Sequence, residues 1–406
     1  MKAFNFSRLA LCVLCGASMS LLVPGLAGAG WVSQTSGTLN HLSSVHFPVD
    51  SLTGYSVGVS GTILKTTNGG ATWVAQTSGT TKWLLSVYFP VDALTGYAMG
   101  YNGIILKTTN GGAAWVPQSS DTTYYLWSVH FPVDAQTGYA VGQSGTILAT
   151  TNGGAAWVSQ TSGTLNHLSS VHFPMDALTG YAVGDYGTIL ATTNGGAVWV
   201  SKTSGTINPL SSVHFPVDAL TGYAVGEGGT IRKTTNGGAN WVAQNSNTSY
   251  TLYEVDFPTD ALTGYAVGEA SAIRKTTNGG ATWVAQTSGT SQWLTSVQFP
   301  VDAQTGYSVG NNGTILKTMD GGSGVEEARN AEFGTRNAEL RIKPNPFTSF
   351  ATLPGHEAER FSLYDVSGRQ VGVFRGDRVG EGLAPGVYFL RSSDYKDKPL
   401  RIVKVR

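Results

Sequence analysis

Residues 65–73 read "KTTNGGATW". A short amide followed by two glycines marks a tight turn. The Asn68 side-chain carbonyl can accept backbone N–H bonds, and Gly69 and Gly70 supply positive φ values that other residues resist. The run before it, "GTILKT" from Gly61, is β-branched and strand-forming, and Trp73 beyond it brings a large apolar face to cap the hairpin. The same grammar returns as "TTNGGAAW" ending at Trp115 and again at Trp157, "TTNGGAVW" at Trp199, "TTNGGANW" at Trp241 and "TTNGGATW" at Trp283. A turn present in every copy cannot mark one catalytic centre. Asn68, Asn110, Asn152, Asn194, Asn236, Asn278 and the equivalent Asp320 are therefore read as scaffold.

The tryptophans Trp31, Trp73, Trp115, Trp157, Trp199, Trp241 and Trp283 stand 42 residues apart, which divides the chain into seven units from 32 to 325 without an insertion. In the first unit "HLSSVHF" alternates as a strand, "PVDSLTG" is a turn cluster, "GYSVG" is a short strand, "VSG" turns, and "GTILKTT" leads through "NGG" into "ATWVAQ". Four short strands in about 40–50 residues make one propeller blade. The fold class is all-β: a seven-bladed β-propeller of 42-residue blades over residues 30–325, followed by a small C-terminal β-sandwich. Helical solenoids are excluded by the lack of a 3.6-residue apolar period. The seventh box, "TMDGGSGV", ends in Val325 where a tryptophan belongs, and the missing Trp31 with "VSQTSG" stands near the start of the chain. Trp31 to Gln34 is thus expected to close the ring as the outer strand of the last blade, hiding sheet edges.

Residues 1–29 read as an export signal: Lys2 and Arg8 precede an apolar run that ends in the small-residue pattern "AGA". Cys12 and Cys15 both lie inside it, so the mature chain is expected to use no disulfide, cysteine-bound metal or thiol chemistry. The net charge of +0 is uneven: residues 32–325 hold 9 Lys+Arg against 14 Asp+Glu, and residues 326–406 hold 14 against 11. A weakly acidic body argues against nucleic-acid partners, which need a clustered basic face. Residues 326–340, charged and without strand periodicity, read as a linker. Beyond it "KPNPF", "FSLYDVSGRQVGVF", "LAPGVYFLR" and "LRIVKVR" alternate as strands with Gly and Pro turns.

The box pattern and its companion "TGYAVG" strand resemble the Asp-box, or BNR repeat, and together they are similar to the propeller family of photosystem II stability and assembly factors. Asn stands in six boxes where that family has an acid, and only Asp320 retains it. Residues 341–406, through P-N-P-F, Y-D-x-x-G-R-x-V, G-V-Y-F and a basic last strand, resemble the type A sorting domain of the type IX secretion system. That resemblance implies passage through the periplasm and across the outer membrane, with the tail then removed and the protein released or held at the surface. A photosystem role is not expected to transfer to a chain so addressed.

With one blade geometry repeated, the differences between copies point to function. The loops entering each first strand and the turns between strands two and three lie on one face, and there the copies diverge. They gather Trp83, Tyr101, Tyr124, Tyr125, Asp185, Tyr186, Glu227, Tyr250, Glu269 and Trp293, an aromatic and acidic set suited to peptide side chains or sugar rings. His46, His130, His172 and His214 share one position in the innermost strand and are read as interblade packing rather than a metal ring. "FPVDALTGY" lacks the alternating acids of a calcium loop, and its aspartate is expected to close the turn. No metal or cofactor is expected.

Asp-box propellers also include sialidases and xyloglucanases. A sialidase-like site needs three arginines, whereas residues 32–325 hold only Arg232 and Arg274, for which Glu227 and Glu269 are the expected partners. Glu254 and Asp256 form a carboxylate pair on one face of a strand, expected to be relieved by a neighbour such as Arg274 rather than used for glycoside hydrolysis. The sequence therefore favours a monomeric, exported, non-catalytic binding or adhesion module for a protein or glycan ligand. An Asp-box glycoside hydrolase and an assembly factor are the alternatives.

Overall fold

The structure, a computed structural model, describes residues 30–323, 349–350, 352, 360–365, 369–375, 377–391 and 400–404. The export signal, Val325, the linker and "KPNPF" lie outside the described residues. The chain divides into two compact units, Met1–Glu326 and Glu327–Arg406.

The first unit consists of seven four-stranded antiparallel sheets. Blade 1 runs from the innermost strand Leu42–His46 through Gly54–Gly58 and Ile63–Thr66 to the outermost Val74–Gln76. The innermost strands of blades 2 to 7 are Leu84–Tyr88, Leu126–His130, Leu168–His172, Leu210–His214, Leu252–Asp256 and Leu294–Gln298. The second strand of each blade is buried along its whole length. That explains its Gly-Tyr-x-x-Gly form, because a Cβ on Gly58 would come within 2.0 Å of the His41 carbonyl oxygen. Among the described residues there is no α-helix, and single 3-10 turns such as Val59–Gly61 link the second and third strands.

The hydrophobic cores lie between blades. Tyr55 of blade 1 stacks on Phe89 of blade 2 at 3.9 Å, and Phe89 meets Trp115 edge-on at 6.0 Å. The Asn-Gly-Gly turn takes part in the same lock. Asn68 Oδ1 accepts from Thr72 N at 2.9 Å and from the Thr66 hydroxyl at 3.0 Å, which fixes the turn. The Gly111 carbonyl of blade 2 then accepts from the Tyr55 hydroxyl at 3.1 Å and from Lys65 Nζ at 2.7 Å. In blades 3 and 4 Ala149 and Ala191 replace that lysine, leaving the aromatic contact to act without an amine. Asp50 Oδ1 accepts from Leu52 N and Thr53 N at 2.9 and 2.8 Å, closing the "PVD" turn.

The lock passes from blade 7 back to blade 1: Tyr307 donates to Gly69 O at 3.1 Å, and Lys317 Nζ does so at 2.8 Å. Val32–Gln34 pairs antiparallel with Ile315–Thr318 as the fourth strand of blade 7. Trp31 is 6% exposed, meets Phe299 edge-on at 5.8 Å, and donates Nε1–H to Gln286 Oε1 at 3.0 Å. The indole nitrogens of Trp73, Trp115, Trp157, Trp199, Trp241 and Trp283 are buried without such a partner.

The described residues of the second unit include an antiparallel sheet in the order Gln370–Arg375, Arg360–Tyr364, Gly386–Arg391, Leu400–Lys404, the C-terminal β-structure expected from the sequence. Phe361, Leu363, Val379, Tyr388 and Leu390 pack on one side of it. Lys404 Nζ donates to the carbonyls of Ser349 and Gly380 at 3.1 Å each.

Removing the Trp31 side chain should destabilise the ring by about 3–5 kcal/mol, the usual cost of truncating a buried tryptophan. Thermal unfolding of Trp31→Ala and of Trp83→Ala, whose indole is 43% exposed, checks this. A larger fall in Tm is expected for Trp31→Ala, and equal falls would remove the structural weight given to the clasp.

Candidate functional site

Backbone hydrogen bonds bring the two divergent loops of each blade together. Tyr101 N donates to Trp83 O at 2.9 Å, Gln143 N to Tyr125 O at 2.9 Å, Asp185 N to His167 O at 3.0 Å, and Glu269 N to Thr251 O at 2.9 Å. The repeated turns meet on the other face, where Gly69 N donates to Leu52 O at 2.9 Å. Every blade thus presents one divergent rim and one uniform rim.

On the divergent rim the aromatics fall into separate groups. Tyr101 stacks on Trp83 at 4.9 Å and on Tyr125 at 4.0 Å, with the two tyrosine rings only 2° from parallel. This ladder across blades 2 and 3 leaves Trp83 and the neighbouring Tyr124 exposed, while Tyr101 and Tyr125 are half-buried. Trp127 meets His167 edge-on at 5.2 Å, and Tyr253 lies 6.3 Å from Trp293. Neither Trp127 nor Tyr253 was singled out from sequence, because both sit inside a strand. Their departure from the serine of the matching position in blades 1, 4 and 5 was the available signal. Tyr124, Tyr186 and Tyr250 line three different grooves of ≈ 740, ≈ 740 and ≈ 520 Å³, so the candidates do not converge on one cavity.

The expected acid–arginine pairs are not formed. Glu269 accepts from Thr251 N and from the Tyr253 hydroxyl, both at 3.1 Å, because these groups of its own blade lie closer to it than Arg274. Burial, with the Glu269 carboxylate beside it, pushes the Tyr253 phenol well above its usual range. Arg232 donates Nη2–H to Gly205 O at 2.5 Å, and Glu227 stands exposed on the rim with Asp185 half-buried in blade 4.

Along the axis, the innermost strands enclose a channel of ≈ 280 Å³ lined by two rings of side chains. Most ring members accept a backbone N–H from the inner strand of the next blade, while His46 Nε2 bonds the Phe89 carbonyl at 3.2 Å and His214 Nδ1 lies 3.7 Å from Asp256. Ser44 Oγ accepts from Val87 N at 3.4 Å, His130 Nδ1 from Phe173 N at 3.3 Å, His172 Nδ1 from Phe215 N at 3.1 Å, and Gln298 Oε1 from Phe47 N at 2.6 Å. Glu254 and Asp256 do the same in blade 6, accepting from Val297 N at 2.7 Å and Phe299 N at 2.8 Å. Their relief therefore comes from backbone N–H groups of blade 7 and not from Arg274. The histidine rings lie 4.8–4.9 Å apart from His130 through His172 to His214, and no group of His, Cys, Asp and Glu among the described residues could hold a metal.

Burial decides the protonation of this axis. It lowers His46 and His214 to about 4 and His130 to about 3, where His214 and His46 add repulsion, and it holds His172 well below its usual range. Burial raises Glu254 to about 7 and Asp256 to about 7 against the pull of their N–H donors.

The architecture defines a seven-bladed β-propeller closed by its N-terminal strand. The profile of the family described as photosynthesis system II assembly factor YCF48 matches residues 77–165. YCF48 from Cyanidioschyzon merolae is 22% identical, with a TM-score of 0.60, over 71% of this chain and 99% of that one. A solved YCF48 bound to D1 peptide is 20% identical, with a TM-score of 0.61, over 71% and 97%. The GH74 xyloglucanase from Xanthomonas campestris is 13% identical, with a TM-score of 0.59, over 72% of this chain and 53% of its own. No curated protein matches the chain in sequence. At these identities the structures share the fold.

The axis gives stability a two-sided pH dependence. Histidines held neutral make the unfolded chain the better proton binder between about pH 6.5 and pH 4, so their contribution is full above that window and is lost as pH falls through it. The raised carboxylates act in reverse: the fold holds their protons, and stability is lost as pH rises from about 4 through 7. Asp256→Gln copies Gln298 of blade 7, keeps an acceptor for Phe299 N, and should add on the order of 2 kcal/mol at about pH 8 with little change at about pH 5. Chemical denaturation at both pH values measures the difference, and an equal effect at the two would contradict a neutral buried Asp256.

Proposed function

We propose that this chain is a non-catalytic propeller that binds a polypeptide partner on its divergent rim. The observation that carries the reading is the asymmetry of the ring: Trp83, Tyr124, Tyr186, Tyr250 and Trp293 are exposed on the loops that differ between blades, outside the repeated Tyr–Phe–Trp lock. Large amphipathic rings at 43–74% exposure are the side chains from which protein interfaces draw their strongest anchors. The solved YCF48 carrying a D1 peptide supports a polypeptide ligand on this fold. An adhesion or assembly role are two forms of the same activity.

A glycan-hydrolysing role is supported only by the fold shared with the xyloglucanase. Against it stand Glu254 and Asp256, whose oxygens are committed to blade 7 N–H groups inside the axial channel, away from the rim grooves.

A peptide array and a glycan array probed with the full chain test the reading. Peptide binding that weakens about tenfold in Trp83→Ala is expected, the scale of losing one aromatic anchor. Saccharide binding alone, or release of sugar from a polysaccharide, would overturn it.

The site of action is proposed as the cell surface or the medium, reached through the periplasm by means of the sorting-domain resemblance of residues 341–406 and the type IX machinery it implies. Deleting 341–406 should trap the protein in the periplasm, as read by fractionation. Unchanged export would rule the address out.

A further inference from the structure

Blade 6 departs from the repeat at three places that meet on its rim. In six blades the residue closing the 3-10 turn is glycine at φ between +66° and +70°, and a Cβ there would sit 2.0 Å from a carbonyl of the following loop. Blade 6 carries Ser271 instead, in the same left-handed conformation at φ 59°, beside Ala270 at φ 50°. Its outermost strand, Val284–Ala285, is one residue shorter than the three-residue outer strands of the other blades. Gln286, next in sequence, turns inward to bond Trp31 and Gly321. A groove of ≈ 520 Å³ lies along this loop, lined by Tyr250, Ser271, Arg274, Thr287 and Ser291 among others.

Arg274 is the second departure. The matching third-strand residue is Leu64, Leu106, Leu148, Leu190 and Leu316 in five blades, and these leucines are buried. In blade 5 it is Arg232, whose guanidinium reaches back to Gly205 O. In blade 6 Asn247 stands where Gly205 does, the third departure: its side-chain amide donates to Trp283 O at 3.0 Å, and Arg274 makes no matching bond to the Asn247 carbonyl. The Nε–H groups of Arg232 and Arg274 are both buried without an acceptor, but Arg232 keeps its Nη2 bond, whereas among the described residues the Arg274 side chain makes no hydrogen bond or ion pair. A buried Nε–H without an acceptor is costly, and a planar carboxylate satisfies Nε–H and an adjacent Nη–H together.

We propose that the blade 6 groove is a carboxylate site, received by Arg274, and that its occupant is an acidic side chain or chain terminus of the bound polypeptide. The occupant rests on the polypeptide-binding reading above. The charge count favours a monoanion: among the described residues Arg274 is the only cationic side chain lining the groove, within a body that carries more acids than bases. A phosphate dianion would need a second positive charge. Tyr250, 50% exposed at the edge of the groove, supplies an aromatic wall for the segment that carries the acid.

The test uses the full chain and two blocked amino acids, N-acetylglutamate N-methylamide and its glutamine counterpart, titrated calorimetrically into the wild type, Arg274→Leu and Arg274→Lys. Arg274→Leu installs the residue of five other blades and should fold normally. Saturable binding of the glutamate probe, absent with glutamine, reduced about tenfold or more in Arg274→Leu and partly kept in Arg274→Lys, is the expected result. Equal binding by wild type and Arg274→Leu, or tighter binding of inorganic phosphate, overturns the site. The peptide array separates the two readings. Peptides that bind wild type and Arg274→Leu alike, with no preference for acids, overturn the carboxylate site and leave polypeptide binding standing. A glutamate probe that binds while every peptide fails overturns polypeptide binding and this occupant with it.

Discussion

The aromatic cores of the first unit run from one blade to the next, so the ring depends on the last blade meeting the first. Tyr55 has its aromatic partner and its hydrogen-bond acceptors on blade 2, and Ser44 caps a blade 2 N–H. A blade alone would present a half-formed aromatic core and an unpaired inner edge, which is the general predicament of a repeat unit. In an open row of seven, Tyr307 and Lys317 would face water and Phe47 N would lack Gln298. Pairing Val32–Gln34 with Ile315–Thr318 ties the first described residues to the last blade and holds those groups in place. The buried Trp31 adds a bond that the six other tryptophans lack, and it adds it at the one blade assembled from both ends of the unit.

The sequence shows the ring clearly and the locks poorly. A 42-residue period with four strand signals per copy leaves little choice of architecture, and the displaced Trp31 marks the closure because a tryptophan is missing where the seventh box ends. The turn chemistry was equally legible, since the partners of Asn68 and Asp50 lie within four residues. Tyr55 and Lys65 were opaque for the opposite reason. Their acceptor, Gly111 O, lies 56 and 46 residues away, and a backbone carbonyl leaves no mark on composition. The same reason hid the axial belt: histidine, glutamine, serine and carboxylate look like unlike residues until each is seen accepting one N–H from the next blade.

The candidate site was legible as a face and not as a geometry. Which loops diverge can be read from the copies, but whether a ring is free depends on neighbours. Tyr101 is taken up between Trp83 and Tyr125, whereas Tyr186, at φ 54° in its turn, is 74% exposed. The failed acid–arginine pairing has a similar origin. Only four residues separate Glu269 from Arg274 in sequence, yet they belong to a turn and to a strand leading out of it, and the glutamate finds donors in its own blade first.

Blade 6 concentrates departures that are individually unfavourable: buried Glu254 and Asp256 at the axis, left-handed Ala270 and Ser271, and the unpaired Nε–H of Arg274. Burying charge and holding non-glycine residues at positive φ each cost on the order of 1–3 kcal/mol unless partners offset them. At the axis the offset is visible, since each carboxylate accepts an N–H from blade 7. At the rim it is only partial. A ring locked by the same contacts in its other blades can carry one unrelaxed blade without coming apart, and such a blade is where a repeat protein can hold strain in readiness for something outside itself. The uniform blades supply the rigidity, and the divergent one is free to be specific.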